Sequence, residues 1–398
     1  MIYRKIQKEE MKAFANLSAT AFHSDAKEQY EDIEKGGFLQ ETIRVMADDG
    51  NKITAGLRLI ELYMYLDTGY VKCGGIGDVS SYPEYRRTGN IAKLMKNALR
   101  EMYDEDYVIS YLYPFSHPFY RKYGYELCRE KQEVTIKTQC IKYEETSGHV
   151  KQHVYGTDSD LSEDIKKVYY LHAAKMNMMV DRRGYFWDRK LKDDAYTSKI
   201  KTYVIYDDTG EPKAYMRYEY ERMDFPNIRA KIYDIAFVDR KAFDELLMFI
   251  YKLGPSISEF VFACPPKLAI FNALDDAWDV KMKVEPAGMM RIINVQKAFD
   301  AIKAIELQGS ILVKVSDGDI AENNGVFKIN SENGIIKAEK VRDDKFDLSC
   351  PINILSQLVC GFRVLDEVEH LDSVIIKSKK EEIDRLFHKK QIHIQDYF

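Results

Sequence analysis

The sequence predicts an α/β (α+β) protein built as three consecutive units, and three observations lead there. An order of strand, turn, strand, strand, helix, strand runs through residues 1–145, recurs over 146–284, and gives way to a different pattern over 285–398. Helical apolar spacing alternates with short β-rich runs punctuated by Asp, Gly and Asn. The length of 398 residues, with 45% hydrophobic and 31% charged side chains, suits two or three domains with full cores under an ordinary polar surface.

In the first unit, Met11, Phe14, Leu17 and Phe22 stand close to helical spacing and predict a helix over 9–22. Strands follow at 43–46 and 53–66 across the turn Asp48-Asp49-Gly50-Asn51, and a third at 70–80 after Asp67-Thr68-Gly69. Ile91, Leu94, Met95, Ala98, Leu99 and Met102 make one apolar face of a helix over 90–102, which therefore packs on the sheet. A strand at 107–112, a short helix at 118–123 and a strand at 125–136 complete this unit.

The polar stretch 142–160 marks a boundary. After it come a helix at 161–175, strands at 202–206, 214–221 and 230–238, a helix at 241–253 and a strand at 260–264. The third unit reads as a strand at 289–293, a helix at 296–305, strands at 311–315, 325–329 and 334–339, and a helix at 352–358. A last helix follows Ser378, which has Glu381 three residues later as in a capping box.

Lys and Arg number 59 against 64 Asp and Glu, a net charge of −5, which argues against nucleic acid or an anionic membrane as partner. No apolar run approaches the roughly 18–20 residues a bilayer crossing needs. The N-terminus turns polar at once, without the apolar core of a signal peptide. The six cysteines include no C-x-x-C pair, and the eight histidines form no ligand spacing. A cytoplasmic protein with reduced thiols and no metal is expected.

The strongest local signal is Pro83-Glu84-Tyr85-Arg86-Arg87-Thr88-Gly89-Asn90-Ile91-Ala92, between a strand and a helix. Successive peptide N–H groups at a helix start, flanked by two arginines, suit a pyrophosphate. By itself the pattern reads first as a capped turn with a solvated arginine pair. The second copy has Val238-Asp239-Arg240-Lys241-Ala242 at the corresponding place, with no glycine to bring the backbone against a phosphate, so only the first copy is expected to hold a phosphorylated cofactor.

Some thirty residues on stands Ser116-His117-Pro118-Phe119-Tyr120-Arg121-Lys122-Tyr123-Gly124-Tyr125. The order of strand, R-x-x-G helix, strand and F-Y-x-x-x-G-[FY] resembles the acetyl-CoA domain of the GNAT acetyltransferase superfamily. The tandem layout, the third domain and the aromatic C-terminus resemble the enhanced intracellular survival (Eis) family in particular. The resemblance implies tandem GNAT-like domains, the first catalytic (1–145) and the second without the pyrophosphate loop (146–284). A sterol-carrier-protein-like domain (285–398) would supply the C-terminal carboxylate. It also implies acetyl-CoA as co-substrate, an amine acceptor on a cationic small molecule or a lysine side chain, and a homohexamer.

Position by position, the resemblance places Val79, Ser80 and Ser81 on the cofactor along the strand. Arg86, Arg87, Thr88, Gly89, Asn90, Ile91 and Ala92 would surround the pyrophosphate, and Phe115 and Ser116 would line the cofactor site. It makes Tyr120 the proton donor and the terminal carboxylate of Phe398 the proton acceptor. Ile91 departs from the superfamily, which favours Gly or Ala two residues after the loop glycine. The chemistry is consistent. An amine with a pKa near about 10.4 must lose a proton before it attacks, and a tyrosine is protonated at pH 7 and able to donate to the departing sulfur.

Read as residues alone, Tyr120 is packing on a short helix and Phe398 a frayed terminus. Asp78, directly or through water, is an alternative base. Phe22, His23, Asp25 and Tyr30 are candidates to line an acceptor pocket, and His117 adjoins the donor. A longer-chain acyltransferase and a non-catalytic acyl-CoA-binding scaffold are the alternative functions.

Overall fold

A computed structural model describes residues 1–35, 40–303, 307, 309–332 and 335–398. The chain divides into two compact units, one of residues 1–129, 287–390 and 398, the other of residues 130–286 and 391–397.

The first unit opens with β1 (Ile2–Lys5), α1 (Met11–Phe22) and α2 (Ala26–Lys35), then β2 (Ile43–Ala47), β3 (Ile53–Leu66) and β4 (Gly69–Ser81). After α3 (Asn90–Asp104) come β5 (Ile109–Leu112), α4 (His117–Arg121) and β6 (Glu126–Lys137). β1 to β4 pair antiparallel in sequence order, and β5 lies parallel to β4. The parallel step requires a crossover, which α3 supplies. Its apolar face (Leu94, Met95, Ala98, Leu99, Met102) is fully buried against Met46, Ala55, Leu57, Leu59 and Ile76. Each of the leucine and methionine side chains contributes about 1.5–3 kcal/mol when removed from water.

The second unit holds β7 (His149–Gln152), α5 (Ser162–Ala173), α6 (Tyr185–Leu191), β8 (Ile200–Tyr206), β9 (Pro212–Arg222), β10 (Ile228–Phe237), α7 (Arg240–Lys252) and β11 (Glu259–Ala263). β7 to β10 pair antiparallel in order, and β11 lies parallel to β10 across α7, repeating the arrangement of β4, α3 and β5. β7 falls inside the stretch expected to be a linker.

Two strands pair differently from the linear reading. The strand expected to complete the first segment, β6, belongs to the second unit from residue 130 on and pairs within it, through residues 133–137, with β11. β12 (Lys281–Ile292) pairs through residues 289–292 with β5.

The remainder of the first unit contains α8 (Val295–Asp300), β13 (Ile311–Ser316), β14 (Gly325–Glu332), β15 (Ile335–Val341) and β16 (Leu348–Pro351). α9 (Ile352–Cys360), α10 (Leu365–Val368), β17 (Ile375–Ile376) and α11 (Lys380–Leu386) follow. The five strands form a separate sheet in the order β15-β14-β13-β16-β17. Ile305, expected to end one helix, and Gly334, expected to begin a strand, lie outside the described residues. The capping box at Ser378 does not form: its hydroxyl is hydrogen-bonded to Asp347, and Lys379, in the left-handed region at φ +56°, precedes α11. Among the described residues no helix is long and apolar enough to cross a membrane, and no group of three or more His, Cys, Asp or Glu could hold a metal ion.

Candidate active site

The site starts from a defect in the first unit's sheet. Gly56 of β3 pairs with Ser80 of β4 and Arg58 pairs with Gly77, so Leu57 alone faces both Asp78 and Val79. This bulge puts Asp78 in the left-handed region at φ +49°, a conformation Asp tolerates better than most residues. Its carboxylate lies 3.3 Å from the buried guanidinium of Arg58. On the other side, the ladder between β4 and β5 runs from Cys73 with Ile109 to Ile76 with Leu112 and stops there. β4 continues to Ser81, so its 77–81 segment runs on past its ladder with β5. Val79 is half-buried there, whereas the Ser80 side chain turns inward to the Gly56 carbonyl at 3.5 Å and Ser81 is buried.

The loop after β4 delivers the chain into α3 through two left-handed residues, Arg87 at φ +64° and Gly89 at φ +84°. Gly89 is the N-cap, and no side chain caps the helix, so the N–H groups of its first turn are left to an external acceptor. A Cβ on Gly89 would find no atom within 4 Å, so the approach to those N–H groups is open. Arg86 and Arg87 are exposed beside it. The Thr88 hydroxyl donates within the loop to the Tyr85 carbonyl at 2.7 Å. The Asn90 side chain is buried and donates to Thr54 Oγ1 at 3.2 Å, so Asn90 can offer a phosphate only its backbone N–H. Ile91 and Ala92 pack on the core beneath α3, which explains how a branched residue is accommodated at position 91.

Past the end of β5, Phe115 is exposed and Ser116 is half-buried, its carbonyl accepting from the Tyr120 N–H at 3.3 Å. Tyr120 is 3% exposed, with its ring centroid 5.4 Å from Phe115, 5.1 Å from Phe119 and 6.2 Å from Tyr125. Its hydroxyl has no hydrogen-bond partner among the described residues. Burial, reinforced by Tyr125 and Tyr123, pushes its pKa well above the usual phenol value, so the group stays protonated and able to donate. His117 Nε2 is buried without a partner among the described residues.

The last residue lies in the same unit. The Phe398 ring sits 6.0 Å from that of Tyr111 and 5.7 Å from that of Tyr113, over the face of β4. Glycines clear the space for it. A Cβ on Gly75 would come within 2.7 Å of Phe398 Cε2, and one on Gly77 within 3.6 Å of the Phe398 main-chain oxygen. The Phe398 main-chain carbon and oxygen thus stand at Gly77, next to the bulge and just past the last paired residues of β4 and β5. Gly74, on the opposite face, admits Met102 of α3. Glycines at 74, 75 and 77 inside a strand signal a close approach, a sign in the sequence that had no reading attached to it.

Residues 391–397, immediately before Phe398, belong to the second unit. Arg182 there is fully buried, donating to Asp234 at 2.8 and 3.0 Å and to Asp396 at 3.0 and 3.1 Å, with its guanidinium 3.8 Å from the Tyr169 ring centre. Burial would raise the Asp234 carboxyl, but the charges of Arg182, Lys190 and Arg217 outweigh it and hold the group below the ordinary carboxylate range. Arg182, with Trp187 buried beside it, is therefore part of the core of its own unit and the anchor of Asp396.

Of the residues considered for an acceptor pocket, Asp25 accepts the N–H groups of Lys27 and Glu28 at 2.7 and 3.1 Å, an N-cap for α2. His23 ends α1 in the left-handed region, Phe22 is exposed, and Tyr30 packs on the small core around Phe14.

Comparison with known proteins finds three matching domain families. Residues 2–128 and 178–292 each match an acetyltransferase (GNAT) domain family, and residues 295–395 match a sterol carrier protein domain. No curated protein sequence matches the chain. Among solved structures, a GCN5-related N-acetyltransferase from Anabaena variabilis is similar over 100% of both chains, at 22% identity and a TM-score of 0.89. A probable N-acyltransferase of unknown function from Enterococcus faecalis is 26% identical over 100% of this chain and 99% of that one, with a TM-score of 0.86. Eis1 from Mycobacterium abscessus shares the fold over 100% of both chains, with a TM-score of 0.83 at 16% identity. With two GNAT domains followed by a sterol carrier protein domain on an Eis-type fold, the chain belongs to the GNAT acetyltransferase superfamily.

Proposed function

We propose that the protein transfers an acetyl group from acetyl-CoA directly to an amine, on a cationic small molecule or a lysine side chain, within a ternary complex. Acetyl-CoA supplies the activated acyl group. The observation that carries the reading is the seat of Phe398. An aromatic last residue wedged against Tyr111 and Tyr113 puts a carboxylate beside the bulge, where a frayed terminus could put nothing.

In this reading, the first-turn N–H groups of α3, from Gly89 to Ala92, bind the pyrophosphate, with Arg86, Arg87 and Thr88 alongside. Val79, Ser80, Ser81, Phe115 and Ser116 line the cofactor. The carboxylate of Phe398 accepts a proton from the ammonium, and backbone N–H groups of the 77–81 edge stabilise negative charge developing on the acyl oxygen. Tyr120 donates its phenolic proton to the departing sulfur. The first domain is catalytic, and in the second the helix corresponding to α3, α7, has its start capped by the Asp239 side chain, which accepts from the Ala242 N–H. Assembly of six copies in the cytoplasm belongs to the same reading, and sedimentation tests it.

Free-thiol release from acetyl-CoA against polyamines, an aminoglycoside and a lysine peptide tests the chemistry. Tyr120→Phe, and separately deletion of Phe398, should each lower kcat by about 10²–10⁴-fold with acetyl-CoA binding retained. Full turnover without Phe398 would move the base to Asp78 or water. Failure to bind acetyl-CoA would overturn the cofactor assignment.

A further inference from the structure

We propose that Arg291 is a positioning residue for Tyr120, through which the C-terminal domain clamps the turn that carries the proton donor. The proposal rests on the reading of Tyr120 as donor.

α4 has only five residues, too few to hold its own shape in water. Its C-terminal end is closed by a tight turn: the Tyr120 carbonyl accepts from the N–H groups of Tyr123 at 2.9 Å and Tyr125 at 3.4 Å, and Gly124 completes it at φ +75°. Whatever fixes that turn fixes the Tyr120 ring.

Arg291 reaches it from β12. The side chain is wholly buried, and Nη1 donates to the Tyr123 carbonyl at 2.5 Å. Nη2 pairs with Asp317 at the end of β13, and Asp319 lies 3.6 Å from Nη1. Asp317 is itself held by the N–H groups of Asp319 at 2.9 Å and Ile320 at 3.2 Å and by the Asn323 amide at 2.9 Å. The turn has no slack on this side. A Cβ on Gly124 would meet Ile352 Cγ2 at 2.9 Å and Arg291 Nη1 at 3.0 Å.

Burying a guanidinium–carboxylate pair gives little stability over well-packed apolar residues. A planar fork, however, holds a carbonyl and a carboxylate in one fixed geometry, a rigidity that neither an apolar side chain nor the rotatable ammonium of a lysine supplies. The arrangement therefore serves the geometry of the Tyr123–Gly124 turn.

The test compares wild type, Arg291→Lys, Tyr120→Phe and the double variant in the full chain, by kcat for amine acetylation, acetyl-CoA affinity and melting. Lysine keeps the charge opposite Asp317 and loses the fork. The expected result is a folded Arg291→Lys protein with kcat reduced about 10–100-fold, acetyl-CoA affinity within about twofold of wild type, and no further loss in the Tyr120→Phe background. Wild-type kcat in Arg291→Lys, or losses that multiply in the double variant, would overturn the clamp. Wild-type kcat in Tyr120→Phe would overturn the donor reading itself, and this proposal with it, and is distinguishable because it appears in that single variant. If Arg291→Lys does not fold, Ile352→Ala, which relaxes the same turn without touching a charge, is put through the same comparison with the same criteria.

Discussion

Gly75→Ala tests whether the seat of Phe398 is what the geometry says it is. The backbone at Gly75 lies outside the left-handed region, so only space opposes a methyl there. That methyl would stand 2.7 and 2.9 Å from Phe398 Cε2 and Cδ2, and 2.8 Å from Leu62 Cδ1. Carbon atoms in contact prefer about 3.5–4.0 Å, so roughly 1 Å of movement is needed. Leu62 can rotate a methyl group away, but the Phe398 ring is flanked by Tyr111 and Tyr113 and must shift as a body, taking its carboxylate along. Overpacking of this kind costs about 1–3 kcal/mol, and a displacement near 1 Å in a reacting group lowers turnover by about 10²-fold. Four chains decide the matter: wild type, Gly75→Ala, the chain lacking Phe398, and both changes together, each measured by amine acetylation and by urea unfolding. Gly75→Ala should lose kcat in the full chain and add no further loss once Phe398 is gone. Its stability penalty should also vanish in the shortened chain, where the methyl enters vacated space. Full turnover in Gly75→Ala, or an equal penalty with and without the ring, would refute the reasoning.

Two further outcomes are expected. Gly89→Ala forces an L-residue to φ +84°, at a cost of about 1–2 kcal/mol, so CoA affinity measured by calorimetry should fall several-fold with little change in melting; unchanged affinity would remove the pyrophosphate from this loop. In the second unit, burial pushes His172 down to about 4, so the folded chain holds it neutral while the unfolded chain takes up a proton near pH 6.5. Its contribution is complete above that pH and is lost as pH falls toward 4, by up to about 3 kcal/mol, and His172→Gln should flatten the pH dependence of urea midpoints over this window. An unchanged slope in the variant would refute it.

Much of the local structure was legible from residue order. β3 and α3 stand where alternation and helical spacing put them, since both report which side chains face a core a few residues away. The loop from Arg86 to Gly89 announced itself because an uncapped helix start with a left-handed residue favours glycine. Other features had no such signature. α2 has few apolar residues to mark a buried face, a lone Asp at position 78 does not announce a bulge, and the pairing of β6 with β11 and of β12 with β5 depends on segments far apart in the chain. The box at Ser378 looked complete in sequence and did not form, because Asp347 competes for the hydroxyl.

The sequence by itself determined the elements, the phosphate-type loop and the tyrosine on a short helix, because these follow from φ preferences and contacts within a few residues. Only the tertiary structure decided that Phe398 lies over Gly75 and Gly77, that Arg182 secures Asp396 in the segment before it, and that Arg291 holds the turn behind Tyr120. Those placements rest on shape and charge complementarity between distant segments, and that complementarity exists only once the chain has folded.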